Sequence, residues 1–387
     1  MKTDPLALRR LAAILAVALL PGCIETKTGS NGTGTVPADG KSLVAGTVVS
    51  AEPFSVGLAS LDASSATLRR DETLNAGAST LRLGMNLEAS GTVTGAYGAV
   101  PVVLRDGGTQ SAVRGPVSAI DAAAQRFTVA TLTFVVDANT LYDGVAGFPG
   151  LAAGAFVEVS GLPLADLRTI LATRITQAAA PADGRISISA RIDSLSPTGL
   201  SLAGILVPGV SSASFSPPPP MGGRARVNGN YSAAAAAITN ELVFLLPDIA
   251  PAGSTQVEIE GIALNVAPNG SFLLRTPAHD YEVAAGAPSA TPVTSGARVR
   301  VVAAASSATA LAPTSVTVVG QITYRVSGTV SDYASLASLR VRGEPADLTT
   351  AVIRGGSASD IANGRRLAIV GTAGPGALRV TEATLLP

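Results

Sequence analysis

The chain has 387 residues, with 27 basic and 27 acidic side chains, one histidine and no tryptophan. Zero net charge gives no drive toward nucleic acid or an acidic surface, and a single cysteine, Cys23, excludes an internal disulfide and a multi-cysteine metal centre. Lysines occur only at positions 2, 27 and 41, so the rest of the chain offers no lysine nucleophile or Schiff base.

Residues 1–22 carry Lys2, Arg9 and Arg10, then the apolar run LAAILAVALL, then Pro21-Gly22. A positive start, a short apolar stretch and a small residue before a cleavage point read as an export signal. Ten apolar residues span about 15 Å as a helix, too short for a hydrocarbon core of about 30 Å. Arg9-Arg10 raises twin-arginine export, but Leu8, Leu11 and Ala12 are poor flanks, so the general route is expected. Leu20-Pro21-Gly22-Cys23 resembles a bacterial lipoprotein lipobox. That resemblance implies cleavage before Cys23, a diacylglycerol on its thiol and fatty acyl chains such as palmitate, holding the protein to a membrane. The alternative is an unpaired cysteine in an ordinary signal. With Ile24 in place of an aspartate, the lipoprotein resemblance further implies the outer membrane, periplasmic or surface-facing. Residues 23–42 (ETKTGSNGTGTVPADG at their centre) are polar and Gly/Thr-rich. They read as a flexible tether with a reach of about 20–25 Å.

From residue 43 a Gly-x6-Gly frame recurs: Gly84…Gly91, Gly154…Gly161, Gly222…Gly229, Gly296…Ala303 and Gly364…Gly371. Copies about 70 residues apart indicate an array of small units, here bounded as 43–112, 113–180, 181–250, 251–322 and 323–387. Inside each frame apolar residues alternate, as in Leu87/Ala89, Val157/Val159, Ala225/Val227, Val299/Val301 and Leu367/Ile369. Period two with one apolar face is a half-buried strand. The leading glycine is expected to turn the chain into this strand and the closing one to let it bulge. Other strands precede it, such as Arg126-Phe-Thr-Val129. One more closes each unit, such as Glu241-Leu-Val-Phe244. Residues 232–237 (SAAAAA) are the best helical candidate, with a turn between strands as the other reading. Five or six strands in so few residues must close on themselves. The expected fold is therefore all-β, a tandem array of about five small five- to six-stranded OB-like barrels, with a small sandwich as runner-up. Strung in a line, barrels of roughly 28 Å would reach about 140 Å.

Gly115-Pro-Val-Ser-Ala-Ile-Asp121, Phe127-Thr-Val129, Asp137-Ala-Asn-Thr140, the frame from Leu151 to Gly161, and Leu171-Ala-Thr-Arg-Ile175 resemble the domain-of-unknown-function 5666 family. Ser64-Ser-Ala-Thr67 and Leu83-Gly-Met-Asn-Leu87 repeat the likeness in the first unit. Later units keep the frame but drift; residues 217–220 (PPPP) interrupt the third. The resemblance implies a β-barrel-like module and an envelope location, and brings no activity or catalytic residues.

Chemistry-bearing motifs are sparse. His279 sits beside Asp280 and could act as a base or ligand, but with no second histidine or cysteine near it reads as a loop residue. Glu258 and Glu260 share a strand face, read as solvated, and Asp137 before Asn139 reads as an Asx turn. Outward positions carry Glu88 and Glu158 in the first two units, then Arg224/Arg226, Arg298/Arg300 and Arg365/Arg366. The first unit has six acidic and four basic residues, net −2; the fifth has five and seven, net +2. These six arginines are candidate contacts for an anionic envelope component, against the reading of a solvated face. No cofactor, metal or nucleic acid is expected. The functional expectation is an outer-membrane lipoprotein acting as a non-catalytic scaffold or binding array for an envelope polymer or protein. The alternatives are a hydrolase or lyase at an inter-module cleft around His279, and OB-type ligand or nucleic-acid binding.

Overall fold

Alternation and glycine placement reappear as strand and turn in a computed structural model of the chain. The described residues are 40–93, 101–246, 254, 256–305 and 307–387. Cys23, the segment read as a signal and nearly all of the tether lie outside them. Among the described residues there are strands and four single-turn 3-10 helices but no α-helix. Residues 232–237 belong to a hairpin, with 233–236 as its turn.

The first strand set is β1 (Gly40–Ala51), β2 (Phe54–Val56), β3 (Ala59–Asp62), β4 (Thr67–Arg70), β5 (Asn86–Val93) and β6 (Val102–Thr109). β1 pairs antiparallel with β2 and β5, β2 with β3, and β5 with β6. β3 and β4 run parallel to β6. The circuit β1–β2–β3–β6–β5–β1 closes, which hides the strand edges. A long first strand shared by two partners, with one parallel contact at the seam, is an OB-like order.

The circuit recurs along the chain. The second set is β7 (Val113–Asp121), β8 (Arg126–Val129), β9 (Leu132–Val135), β10 (Leu141–Asp143), β11 (Phe156–Pro163) and β12 (Thr169–Gln177). The third is β13 (Ile186–Ser196), β14 (Gly199–Leu202), β15 (Ile205–Val207), β16 (Arg224–Ser232) and β17 (Ala237–Leu245). The fourth is β18 (Gln256–Leu264), β19 (Phe272–Arg275), β20 (Asp280–Val283), β21 (Arg298–Ala305) and β22 (Ala310–Val318). The last is β23 (Tyr324–Ser335), β24 (Ser338–Val341), β25 (Glu344–Asp347), β26 (Val352–Arg354), β27 (Arg366–Ala373) and β28 (Leu378–Leu386). The parallel seams are β9/β12, β15/β17, β20/β22 and β25/β28.

Both ends of the glycine frame have a backbone reason. Gly84, Gly154, Gly222, Gly296 and Gly364 all have φ between 77° and 89°, a left-handed turn that suits glycine. At the closing position the pairing slips by one residue, as at Ser160/Gly161 and Val370/Gly371. This is a β-bulge, and a Cβ at Gly161 would lie 2.5 Å from the Leu171 carbonyl oxygen. In the fourth barrel Ala303 holds the bulge, opposite Pro313.

The barrels are not strung in a line. The described residues belong to one compact unit. β1 pairs in parallel with β18, Ser42 to Ala45 against Gln256 to Ile259, and β7 pairs with β13. Eleven of the twelve β1 residues are buried. Its run of small and apolar side chains is that of a strand covered on both faces. Val44 and Val48 join a core that also holds Tyr324, Leu367 and Leu385 of the last barrel. Leu43 and Ala45 join the core of the fourth, with Ile259 and Val301. The second and third barrels share another core, from Val113 to Ile238. The linear expectation fails because each barrel leaves apolar and charged groups on its outside that only another barrel can cover.

The two frame glycines should differ on substitution. Gly154→Ala meets no atom within 4 Å but keeps a φ of 82°, so it should cost about 1 kcal/mol. Gly161→Ala must push the β12 backbone away and should cost about 1–3 kcal/mol. Urea unfolding of both variants measures the order.

Candidate functional site

The groups with the most unusual environments lie where barrels meet. The first junction joins three of them. Arg174 on β12 is buried, because its strand position faces away from its own barrel and toward two others. Its Nη1 donates to Glu344 Oε2 at 2.8 Å and to the Leu83 carbonyl at 2.9 Å, and its Nη2 donates to Asp143 Oδ2 at 2.7 Å. Glu344 Oε1 accepts the Leu83 amide at 3.0 Å, and Arg340 Nη2 donates to Asp143 Oδ1 at 2.8 Å. Burial alone would lower the Arg174 guanidinium pKa, but Glu344 and Asp143 outweigh it and raise it.

The second junction is centred on Arg226 of β16, which is fully buried. Its Nη1 lies 3.0 Å from Asp71 Oδ1 and donates to the Ser111 carbonyl at 3.1 Å and Ser189 Oγ at 2.9 Å, while its Nε donates to Glu72. Asn228 Nδ2 donates to the same Glu72 oxygen at 2.8 Å. Burial raises the Glu72 carboxyl, and Arg226 overrides this to hold it below the ordinary range. Nearby, Arg224 is paired with Glu88 of the first barrel.

The third junction places Glu258 and Glu260 of β18 against the first barrel. Arg298 Nε donates to Glu260 Oε1 at 2.8 Å, and its Nη2 to Thr47 Oγ1 at 2.7 Å. The Thr47 hydroxyl donates to Glu260 at 2.8 Å. Arg300 lies 3.3 Å from each carboxylate, and Glu258 Oε1 accepts the Leu58 amide at 2.7 Å. Burial pushes the Glu260 carboxyl up, yet Arg298 and Arg300 bring it below its usual value. A Cβ at Gly46 would lie 2.9 Å from Glu260 Cβ, so glycine on β1 is what lets β18 come this close.

A fourth cluster bridges the second, third and fourth barrels. Asp280 accepts from Arg191 at 2.8 Å through Oδ1 and from Arg275 at 3.0 and 2.7 Å. Burial raises this carboxyl, and the two arginines hold it below the ordinary range. His279, next in sequence, closes a turn through its backbone: its amide donates to Thr276 Oγ1 at 3.0 Å and its carbonyl accepts the Thr276 amide at 2.9 Å. Its ring packs edge-on against Tyr281, 5.7 Å between centroids. Both Asp280 oxygens accept from guanidiniums. Among the described residues no cluster of three or more His, Cys, Asp or Glu could hold a metal ion.

These placements correct the reading of the charged strand faces. Glu258 and Glu260 are 1% and 2% exposed, not solvated. Arg226 and Arg298 are buried, and Arg224 and Arg300 are paired with carboxylates. They do face away from their own barrels, as alternation required, but a second barrel covers them. Arg365 and Arg366 are exposed. Asp137 does form the Asx turn, accepting the Asn139 amide at 2.9 Å. Asn139 then holds the last barrel, accepting the Ile322 amide at 2.7 Å and the Tyr324 hydroxyl, through its carbonyl, at 2.9 Å. Arg174, Glu344, Asp71 and Arg191 escaped sequence reading. The one signal was an arginine inside the otherwise uncharged run LATRI.

Closed, all-β barrels with a bulged frame strand and charged mutual contacts define the class of the molecule. Residues 114–176, the second barrel, match the family described as Domain of unknown function (DUF5666). A search among curated proteins finds no match.

Two outcomes test the junctions. Arg174→Met and Glu344→Leu should each cost about 3–5 kcal/mol, because each strands a buried charge, and the double variant should cost less than their sum. Denaturant unfolding of the cycle checks this. Glu72, Glu260 and Asp280 have folded pKa values below their ordinary 4.5, 4.5 and 3.8. Their stabilisation is therefore complete above those values and is lost as pH falls through the lower folded ones. Calorimetry should show a melting temperature that is flat toward pH 5 and falls below about pH 4.5, with a shallower acid slope in Glu260→Gln.

Proposed function

We propose that the protein is a lipid-anchored, non-catalytic lipoprotein of the bacterial outer membrane. Cys23 carries the anchor, the residues from it to the start of β1 at Gly40 are the tether, which ends three residues before the expected boundary at 42, and the barrels that follow form a stiff scaffold or binding platform for an envelope polymer or protein. One observation carries the platform reading: Arg174, Glu344 and Leu83 come from three different barrels and share one buried hydrogen-bonded cluster. A chain whose barrels moved independently would have to expose these groups. The anchor reading is supported by the charged start, the short apolar run and Leu20-Pro21-Gly22-Cys23. One acyl chain holds a protein only marginally, whereas two or three make attachment durable. Of the six arginines singled out in the sequence, the exposed Arg365 and Arg366 are the pair through which contact with an anionic envelope component would run.

Metabolic labelling with an alkyne fatty acid tests the anchor. The native chain should take the label and sediment with outer membranes. Cys23→Ser should lose the label and move to the soluble fraction. An unlabelled native chain, or a Cys23→Ser chain that still takes the label, would overturn the reading.

A further inference from the structure

A pocket of about 170 Å³ lies where the second and third barrels meet. Leu132 and Ile170 come from one side and Ala190 and Ala203 from the other, with Gln110 and Pro277 adding a polar and an apolar edge. An apolar cavity of about 150 Å³ holds one benzene molecule, so the space suits a ring-sized body.

The polar groups around it are incompletely used. Arg191 Nε is buried and has no hydrogen-bond partner, although Nη2 of the same side chain is engaged with Thr276 and Asp280. Gln110 Oε1 is likewise buried and unpartnered, while its Nε2 donates to the Asp71 carbonyl at 3.2 Å, which sets the amide's orientation. Leaving a buried donor and a buried acceptor unmet is costly, and natural folds rarely do so without a ligand or water.

The rim carries charge of both signs, with Asp166 and Asp193 as its acids. Three arginines line the pocket: Arg168, Arg191 and Arg224. Arg191 is paired with Asp280 and Arg224 with Glu88. Arg168 is exposed and, among the described residues, lies in no ion pair. Its guanidinium rests over the β14–β15 turn, where a Cβ on Gly204 would come within 2.7 Å of Arg168 Cζ. The nearby acids are occupied: Asp193 Oδ2 accepts the Gly204 amide at 2.8 Å, and Asp166 accepts the amides of Arg168 and Thr169.

We propose that this pocket binds a small organic carboxylate whose apolar body is about one aromatic ring in size. The ring lies among Leu132, Ile170 and Ala190. The carboxylate faces Arg168 and accepts from Arg191 Nε. A donor on the ligand, or a water carried with it, meets Gln110 Oε1. This goes beyond the scaffold reading and does not depend on Cys23 or the membrane.

The test is a ligand-observed NMR titration of the detergent-solubilised full chain with benzoate, and with uncharged benzyl alcohol as comparison. Benzoate should bind saturably with a Kd of about 1 mM or tighter. Arg168→Gln, at an exposed position, should weaken benzoate about tenfold or more and leave benzyl alcohol nearly unchanged. Ala190→Phe, which fills the pocket, should abolish both, with its circular dichroism and melting curve reporting whether it is folded. If Ala190→Phe does not fold, Arg168→Gln alone decides. No saturable binding of benzoate up to about 10 mM, or binding equal in the native chain and Arg168→Gln, overturns the proposal.

Discussion

A guanidinium that leaves its own barrel and enters the boundary of another is the constraint on which this structure turns. Arg174, Arg226 and Arg298 are each buried outside the core of the barrel that carries them. An isolated buried charge is strongly unfavourable, so each demands carboxylates and carbonyls in fixed positions. Other barrels supply part of each set: Glu344 for Arg174, Asp71 with Glu72 for Arg226, and the Thr47 hydroxyl for Arg298, while Asp143 and Glu260 come from the same barrels as the arginines they hold. Such pairs add little stability over a well-packed apolar contact. They do penalise any arrangement of the barrels that leaves one partner alone. The apolar cores supply the drive to associate, and the ion pairs select the orientation.

Strand positions and turns were the legible part of this fold, because they depend on neighbours in sequence. The glycine frame marked five turns and bulges, and period two in Leu87/Ala89 or Leu367/Ile369 marked which side chains fill each barrel. What alternation could not say is what lies beyond the outward face. Arg298 and Arg366 occupy like places in their frames, yet one is buried and the other exposed. That difference is set by which barrel lies opposite, a matter of long-range contact. The same holds for Glu258 and Glu260, which look like a solvated pair until Arg298, Arg300 and the first barrel are placed against them. A clue did exist in the charge trend along the chain. Acidic outward positions in the first two units and basic ones in the third are complementary, and Arg224–Glu88 is one product of that complementarity.

The repeats also diverge in a physically readable way. A self-contained barrel needs only its interior pattern, and all copies keep it. Outer faces have no common duty: β1 must cover the fourth barrel, β16 must reach the first, and β27 meets solvent at Arg366. Variation therefore concentrates on the faces that distinguish one neighbour from another. The family match covers residues 114–176, the second unit.

The place of β1 has a consequence for how the molecule is made. It is the first described strand to be synthesised, and Thr47 meets Glu260 across 213 residues of sequence. Until the fourth barrel exists, Leu43 and Ala45 have no cover, and the first barrel stands complete in its circuit but bare along one side. Closing so long a loop is slow and entropically opposed. A nascent or prematurely ended chain thus presents a sticky strip at its leading end, and protection of that strip during biogenesis is a requirement built into the topology.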